Sequence, residues 1–335
     1  MNSLSQKQKE KLPTQILNLL EQEDLELVEI FQLPDTKRRR FYNLRVRSVE
    51  YASDLVLKIF GRGEPGVVKA LDKEIGFLRL VQDFASTDLH MHVPRFICEG
   101  REPQPWYLRT CVEGSFLGDI CSDFGIRKEF LTRELAEFFL HFLSSLHSFL
   151  EANEGSPFWD SLSTHGYDWY EKDCEYYRRH NESVSSSELD NISRFLSGVS
   201  GVLDAQAKVL VHGDLYLKNI FWDGRAEAPG KLSVTDWELL HIGNCAFDVG
   251  FIAALAWRDP VWKNMLIDEF EGTLMGERCG AFRTLLDAVT LSVSLRFIRH
   301  SEIMETIVEG KALENANLAK EAHLESLRNV LARVT

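Results

Sequence analysis

The stretch VLVHGDLYLKNIFW, residues 209–222, decides how this chain is read. It opens on Val209, Leu210 and Val211 and closes on Ile220 and Phe221, so both ends belong in a core. Between them stand His212, Asp214, Lys218 and Asn219, polar groups that a buried strand would leave unsatisfied. The pattern describes a loop pinned on both sides, holding a carboxylate and an amide five positions apart. Downstream, KLSVTDWELL ends another strand on a further carboxylate, Asp236.

At 335 residues the chain can form two lobes of ordinary domain size or one large domain. Its 44% hydrophobic and 27% charged residues are those of a soluble globular protein with a sizeable core. The polar start MNSLSQKQKEK has no signal-peptide character, and the apolar run VGFIAALAW (249–257) is too short to span a bilayer. The six cysteines, without C-x-x-C pairing, read as reduced thiols, so a cytoplasmic location is expected. His90-Met91-His92 could share a strand face, but a zinc site needs further ligands. The net charge of −13 argues against nucleic-acid and membrane partners. Residues 1–112 sum to +1 (17 basic, 16 acidic), and residues 113–335 to −14 (21 basic, 35 acidic). The acidic second part favours a cationic small molecule over an anionic one, although solubility alone would also explain it.

The chain changes character near Glu113-Gly114, giving expected domains 1–112 and 113–335. In the first, a short helix from Pro13 is followed by strand-like LELVEIFQL (25–33), FYNLRVRSVE (41–50) and DLVLKIF (54–60). A helix follows, opened by Pro65, with Leu71, Ile75 and Leu78 on one face. VPRFICEG and PWYLRTCVEG add two strands, making a mostly antiparallel sheet with a helix on it. The second part is helical: a long apolar helix from Lys128, mixed segments over 153–208, and helices near 245–257, 281–300 and 312–333.

Four elements then carry chemistry. Lys58 lies inside an apolar strand, where an ammonium is costly unless paired. Glu74 follows on the helix, three positions after Leu71, and can meet it if the helix packs on the sheet. Asp214 with Asn219, and then Asp236, complete the order. Phosphoryl transfer from ATP needs such parts: a lysine for the α and β phosphates, oxygen ligands for magnesium, and a carboxylate beside the acceptor hydroxyl. Each has a plainer reading: a loop capped by its own side chains, a snorkelling lysine, an exposed helix charge.

HGDLYLKN (212–219) followed by TDWE (235–238) resembles the aminoglycoside phosphotransferase and choline kinase-like family, whose motif is H-G-D-x-x-x-x-N with a downstream D-W-E. The resemblance runs from about residue 25 to about residue 258. It implies an α+β, bilobal protein-kinase-like fold: a small antiparallel-sheet N-lobe with one helix, and a larger, mainly helical C-lobe. Asp214 then matches the catalytic base. Asn219 and Asp236 match magnesium ligands, Lys58 the phosphate-binding lysine, and Glu74 its helix partner. Backbone groups near Thr110 and Val112 match the adenine-binding hinge, and Asp248 an aspartate that braces the catalytic loop. Two departures stand out. LPDTKRRR lacks a glycine-rich loop, which leaves Lys37 to Arg40 as phosphate-covering candidates, and Arg109 sits where the hinge strand usually carries an apolar residue.

The implied function is transfer of the γ-phosphoryl group of ATP, or of GTP, with Mg2+, to a hydroxyl of an amino sugar, amino alcohol or similar metabolite. The alternative is a catalytically silent pseudokinase that binds nucleotide or a partner. His212 reads as structural, because Asp214 already serves as base. The aromatic and acidic run 161–177 either lines an acceptor pocket or forms an amphipathic lid helix.

Overall fold

The structure is a computed structural model describing residues 10–34, 40–61, 65–84, 88–153, 155–180, 182–224 and 230–335. The described residues up to Glu113 form one compact unit and those from Gly114 a second.

The first unit is built on five strands: β1 (Leu25–Gln32), β2 (Phe41–Ser48), β3 (Leu55–Phe60), β4 (Phe96–Gly100) and β5 (Trp106–Thr110). They are antiparallel in the order β1-β2-β3-β5-β4. Side chains alternate across a strand. Leu55, Leu57 and Ile59 of β3 therefore join Leu44 and Val46 of β2 in a core closed by Ile16, Leu19 and Leu20 of α1 (Thr14–Gln22). The same alternation sends Lys58 to the other face, where α2 (Pro65–Asp83) supplies Glu74. Register across the sheet pairs Val56 with Arg109 and Leu57 with Leu108, which fixes how β5 sits beside β3.

The second unit holds two small sheets and most of the helices. β7 (Val209–Val211) pairs with β10 (His241–Gly243), and β8 (Ile220–Asp223) lies between β6 (Ser115–Phe116) and β9 (Lys231–Val234). The long helix expected from Lys128 starts later. Residues Lys128–Phe130 make a 3-10 turn, and α3 (Arg133–Ala152) begins after Thr132, whose Oγ1 accepts the Leu135 N–H. Leu135, Phe139, Phe142, Leu146 and Phe149 form its buried stripe. The mixed segment resolves into α4 (Tyr167–His180), α5 (Ser186–Gly198) and α6 (Ser200–Ala205). Then come α7 (Phe247–Leu255), α8 (Pro260–Thr273), α9 (Gly276–Glu305) and α10 (Gly310–Val334).

The sequence reading passed over α8, although its signal was present: Asp259 caps the Trp262 N–H and Pro260 opens the helix. His90 lies in a 3-10 turn (Asp88–Met91) rather than on a strand, and His92 is buried. Among the described residues, no group of three His, Cys, Asp or Glu side chains is arranged to hold a metal. Nor is any helix long and apolar enough to cross a membrane.

His323 of α10 is buried and stacks on Phe297 of α9 at 4.9 Å between ring centroids. Burial, then the Lys263 ammonium, pushes its pKa down to about 3. The unfolded chain thus takes up a proton near pH 6.5 that the folded chain refuses. The contribution is complete above that pH and is lost as pH falls toward 3. Replacing His323→Phe should remove about 2 kcal/mol of the stability difference between pH 7 and pH 5, read from urea midpoints at both pH values.

Candidate active site

The loop between β7 and β8 is held by one carboxylate. Asp248, in the first turn of α7, is fully buried and accepts the His212 N–H at 2.8 Å on Oδ2 and the Gly213 N–H at 3.2 Å on Oδ1. Burial pushes its pKa up to about 7, and the two backbone donors oppose that rise. Gly213 takes φ +79°, and a Cβ there would stand 2.8 Å from the His241 ring. Glycine is required on both counts.

His212 completes the brace. Its Nδ1 accepts the Asp214 N–H at 3.2 Å, so the proton sits on Nε2, which donates to the Thr235 carbonyl at 3.1 Å. Burial holds its pKa down at about 4, against the Thr235 hydrogen bond and the Asp236 charge. The ring is neutral and both nitrogens are occupied by the loop backbone, in keeping with a structural role.

Asn219 ends a 3-10 turn (Leu217–Asn219), and its carbonyl accepts the Thr235 N–H at 2.9 Å. Its side-chain Nδ2 donates to the Asp214 carbonyl at 2.8 Å and to Asp214 Oδ2 at 3.0 Å. Asp236, one residue past Thr235, adopts a left-handed backbone with φ 68°. The three residues named from the sequence are therefore gathered by short bonds across two neighbouring loops. Asp214 is half-buried, and its pKa is pushed up to about 6 by burial and then by the Asp236 carboxylate. Lys218, Arg296 and the Asn219 hydrogen bond pull the other way.

This donor set suits a hard cation. Both Asn219 side-chain hydrogen bonds go through Nδ2, which leaves Oδ1 for a metal, and Asp236 adds carboxylate oxygens. The Asp236 carboxylate, close enough to raise the Asp214 pKa, also favours a cation between the two. Magnesium needs few protein oxygens, because it keeps waters and substrate phosphates.

In the first unit, Lys58 Nζ donates to Glu74 Oε2 at 2.6 Å, with the two side chains only 6% and 2% exposed. The ammonium also lies 4.6 Å from the centre of the Phe41 ring. Removing two charges from water costs about as much as their attraction returns, so such a pair adds little net stability. At the end of β5, where the hinge was expected, the Thr110 N–H donates to the Arg95 carbonyl at 2.9 Å, and its own carbonyl receives Arg109 Nη1 at 3.1 Å. Its backbone is thus engaged within the protein. Val112, half-buried, gives only its carbonyl to the Cys111 thiol, at 3.7 Å. Of the four basic candidates, Lys37, Arg38 and Arg39 lie outside the described residues, and Arg40 is exposed. Arg296, on α9, was not singled out from the sequence and acts electrostatically on Asp214.

Comparison with known proteins places the chain in a family. The model of the phosphotransferase enzyme family (APH) matches residues 37–282. The chain belongs to that family. No curated protein matches the sequence. Among solved structures, a spectinomycin phosphotransferase in complex with ADP and spectinomycin is 13% identical, with a TM-score of 0.61 over 95% of this chain and 98% of that one. Choline kinase LicA from Streptococcus pneumoniae is also 13% identical, with a TM-score of 0.56 over 95% and 99%. An ethanolamine kinase from Plasmodium vivax, 11% identical, has a TM-score of 0.54 over 93% and 85%. These likenesses establish the α+β, protein-kinase-like fold that the family shares.

Two substitutions probe the buried carboxylate of the second unit and the buried ion pair of the first. Asp248→Ala leaves two buried N–H groups facing an apolar methyl and should lower stability by about 2–5 kcal/mol in urea unfolding. Lys58→Ala strips the ammonium from the buried Glu74 and should cost about 3 kcal/mol or more. The double change Lys58→Met with Glu74→Met should recover most of that loss in the same measurement.

Proposed function

We propose that this phosphotransferase-family member is an ATP-dependent small-molecule kinase that moves the γ-phosphoryl group to an acceptor hydroxyl. The observation that carries this reading is the Asp214, Asn219 and Asp236 constellation on a loop braced by Asp248. Asp214 orients the acceptor hydroxyl and takes its proton as the new oxygen–phosphorus bond forms. The bond from the γ-phosphorus to the bridging oxygen breaks, and ADP leaves. Its raised pKa makes it a better proton acceptor than an ordinary aspartate while leaving it ionised at neutral pH.

Asn219 and Asp236 are the residues that would hold magnesium, which when bound supplies positive charge to the phosphates. Lys58, set by Glu74, is assigned to the α and β phosphates of ATP. Val112 is the better candidate for the adenine contact, since the Thr110 backbone is engaged by Arg95 and Arg109. GTP is the alternative donor. The acceptor hydroxyl belongs to a small metabolite such as a sugar, amino sugar or amino alcohol.

The test is ADP release, coupled to a reporter, with magnesium, ATP and a panel of hydroxyl compounds. Asp214→Asn should lower turnover by roughly 1,000-fold or more while nucleotide affinity changes by less than about threefold. Full activity in that variant would remove Asp214 as base, and nucleotide binding without turnover of any acceptor would make the chain a silent binding module. In the active enzyme, kcat/KM should fall below a pH of about 6, because protonated Asp214 cannot accept the hydroxyl proton. The slope expected is about tenfold per pH unit, read from a pH profile at low acceptor concentration.

A further inference from the structure

The acceptor's charge class can be read from a side chain outside the family motif. Arg296, on α9, projects among α4, α7 and the Asp214 loop. Its guanidinium carbon lies 5.8 Å from the centre of the Trp169 ring and 6.0 Å from that of Phe251. The Phe251 ring packs on Tyr216 at 5.0 Å, and the Tyr216 N–H donates to the Asp214 carbonyl at 2.7 Å. The chain of contacts from Arg296 to the candidate base is thus two aromatic rings long.

The guanidinium carries five N–H donors. Its nearest carboxylate oxygen is Asp173 Oδ1, at 3.7 Å from Nη2, beyond ordinary hydrogen-bond length. Asp173 is turned toward Ser292, whose hydroxyl donates to Oδ2. The fork also serves the Tyr177 hydroxyl, which leaves others of its N–H groups for a ligand, and the Arg296 side chain keeps 18% of its exposure and Asp173 13%. Burial would lower the guanidinium's pKa, but Asp173, Tyr216, Tyr177 and Asp214 together hold it above the ordinary value. It is a permanent cation.

Recognition of a cationic head by aromatic side chains needs an open ring face and a carboxylate to balance the charge. Here Arg296 already occupies the Trp169 face and stands against Asp173. An ammonium brought to the same place would meet a fixed like charge in a poorly solvated setting. What remains on offer is a set of fork-shaped donors, a carboxylate acceptor, and the half-buried rings of Trp169 and Tyr216. That combination fits several adjacent hydroxyls on a carbon skeleton. We propose that Arg296 with Asp173 is an acceptor-specificity element that selects a neutral polyhydroxylated compound, such as a sugar or polyol, and excludes cationic acceptors. The assignment rests on the kinase reading above and reverses the cationic acceptor that the acidic second part suggested.

The experiment uses the full chain with magnesium and ATP and three acceptor panels: neutral monosaccharides and polyols, choline-type amino alcohols, and aminoglycosides. Saturable ADP release is expected from members of the first panel, with kcat/KM for the cationic panels lower by about 100-fold or more. Arg296→Gln should lower acceptor kcat/KM by about 100-fold while the KM for ATP stays within about twofold, and Arg296→Lys should restore part of the loss. Should Arg296→Gln fail to fold, Asp173→Asn carries the same expectation for the acceptor. A purely structural clamp between α4 and α9 would change thermal stability but not separate acceptor from ATP kinetics. Efficient turnover of a cationic acceptor, or unchanged acceptor kinetics in Arg296→Gln, would overturn the proposal and leave the kinase reading intact. The same holds for ADP release only with water. Failure to bind or turn over ATP at all would instead overturn the kinase reading on which it rests.

Discussion

Two backbone N–H groups on one buried carboxylate set the geometry of the second unit's candidate site. Asp248 belongs to a helix that is apolar on every side, so α7 cannot rotate without exposing core. The carboxylate is therefore a fixed point, and His212 and Gly213 are hung from it. From there the order passes through the His212 ring to the Asp214 N–H and the Thr235 carbonyl, and through Asn219 back to Asp214. A loop of polar residues gains the rigidity of a strand without being one. Catalysis by positioning needs that rigidity, since small displacements of a reacting group are costly in rate.

The first unit solves a different problem by strand parity. β3 is buried on both faces, so any polar residue on it must find a partner inside the protein. Leu55, Leu57 and Ile59 fill one face and leave Lys58 on the other, where α2 brings Glu74 and β2 brings the face of Phe41. A hydrophobic residue would fill that position at less cost. The ammonium there is held instead by one carboxylate and one ring, and the phosphate role proposed for Lys58 would give that costly arrangement a use.

Much of this was legible in the sequence because it was local. A period-two pattern marked β2, strand-like runs marked the other four strands of the first sheet, and Pro65 with Leu71, Ile75 and Leu78 marked α2. The spacing of Asp214 and Asn219 showed a loop that presents two polar groups, and the order of Lys58 and Glu74 anticipated their pairing. What escaped was long-range or ambiguous. Arg296 lies 82 residues after Asp214, on a helix whose partners no local pattern reveals. The aromatic run near Tyr170 offered core and pocket readings, and the structure divides it: Tyr170 and Cys174 are buried, while Asp173 and Trp169 meet Arg296. The start of α3 was placed too early, because apolar Phe130 and Leu131 extend the helical period through the turn before the Thr132 cap. In α8, the Asp259-Pro260 signal precedes VWKNMLIDEFEGT, whose apolar residues are only weakly gathered on one face.

The left-handed backbone at Asp236 carries a last consequence. Few residues accept that conformation cheaply; glycine, asparagine and aspartate are the usual occupants. Mutational drift at this position is therefore channelled toward two neighbours that keep the main chain intact and discard the anionic group. If Asp236 holds the metal as proposed, one base change there would silence the chain while leaving it folded, whereas most other substitutions at 236 would betray themselves through a strained chain.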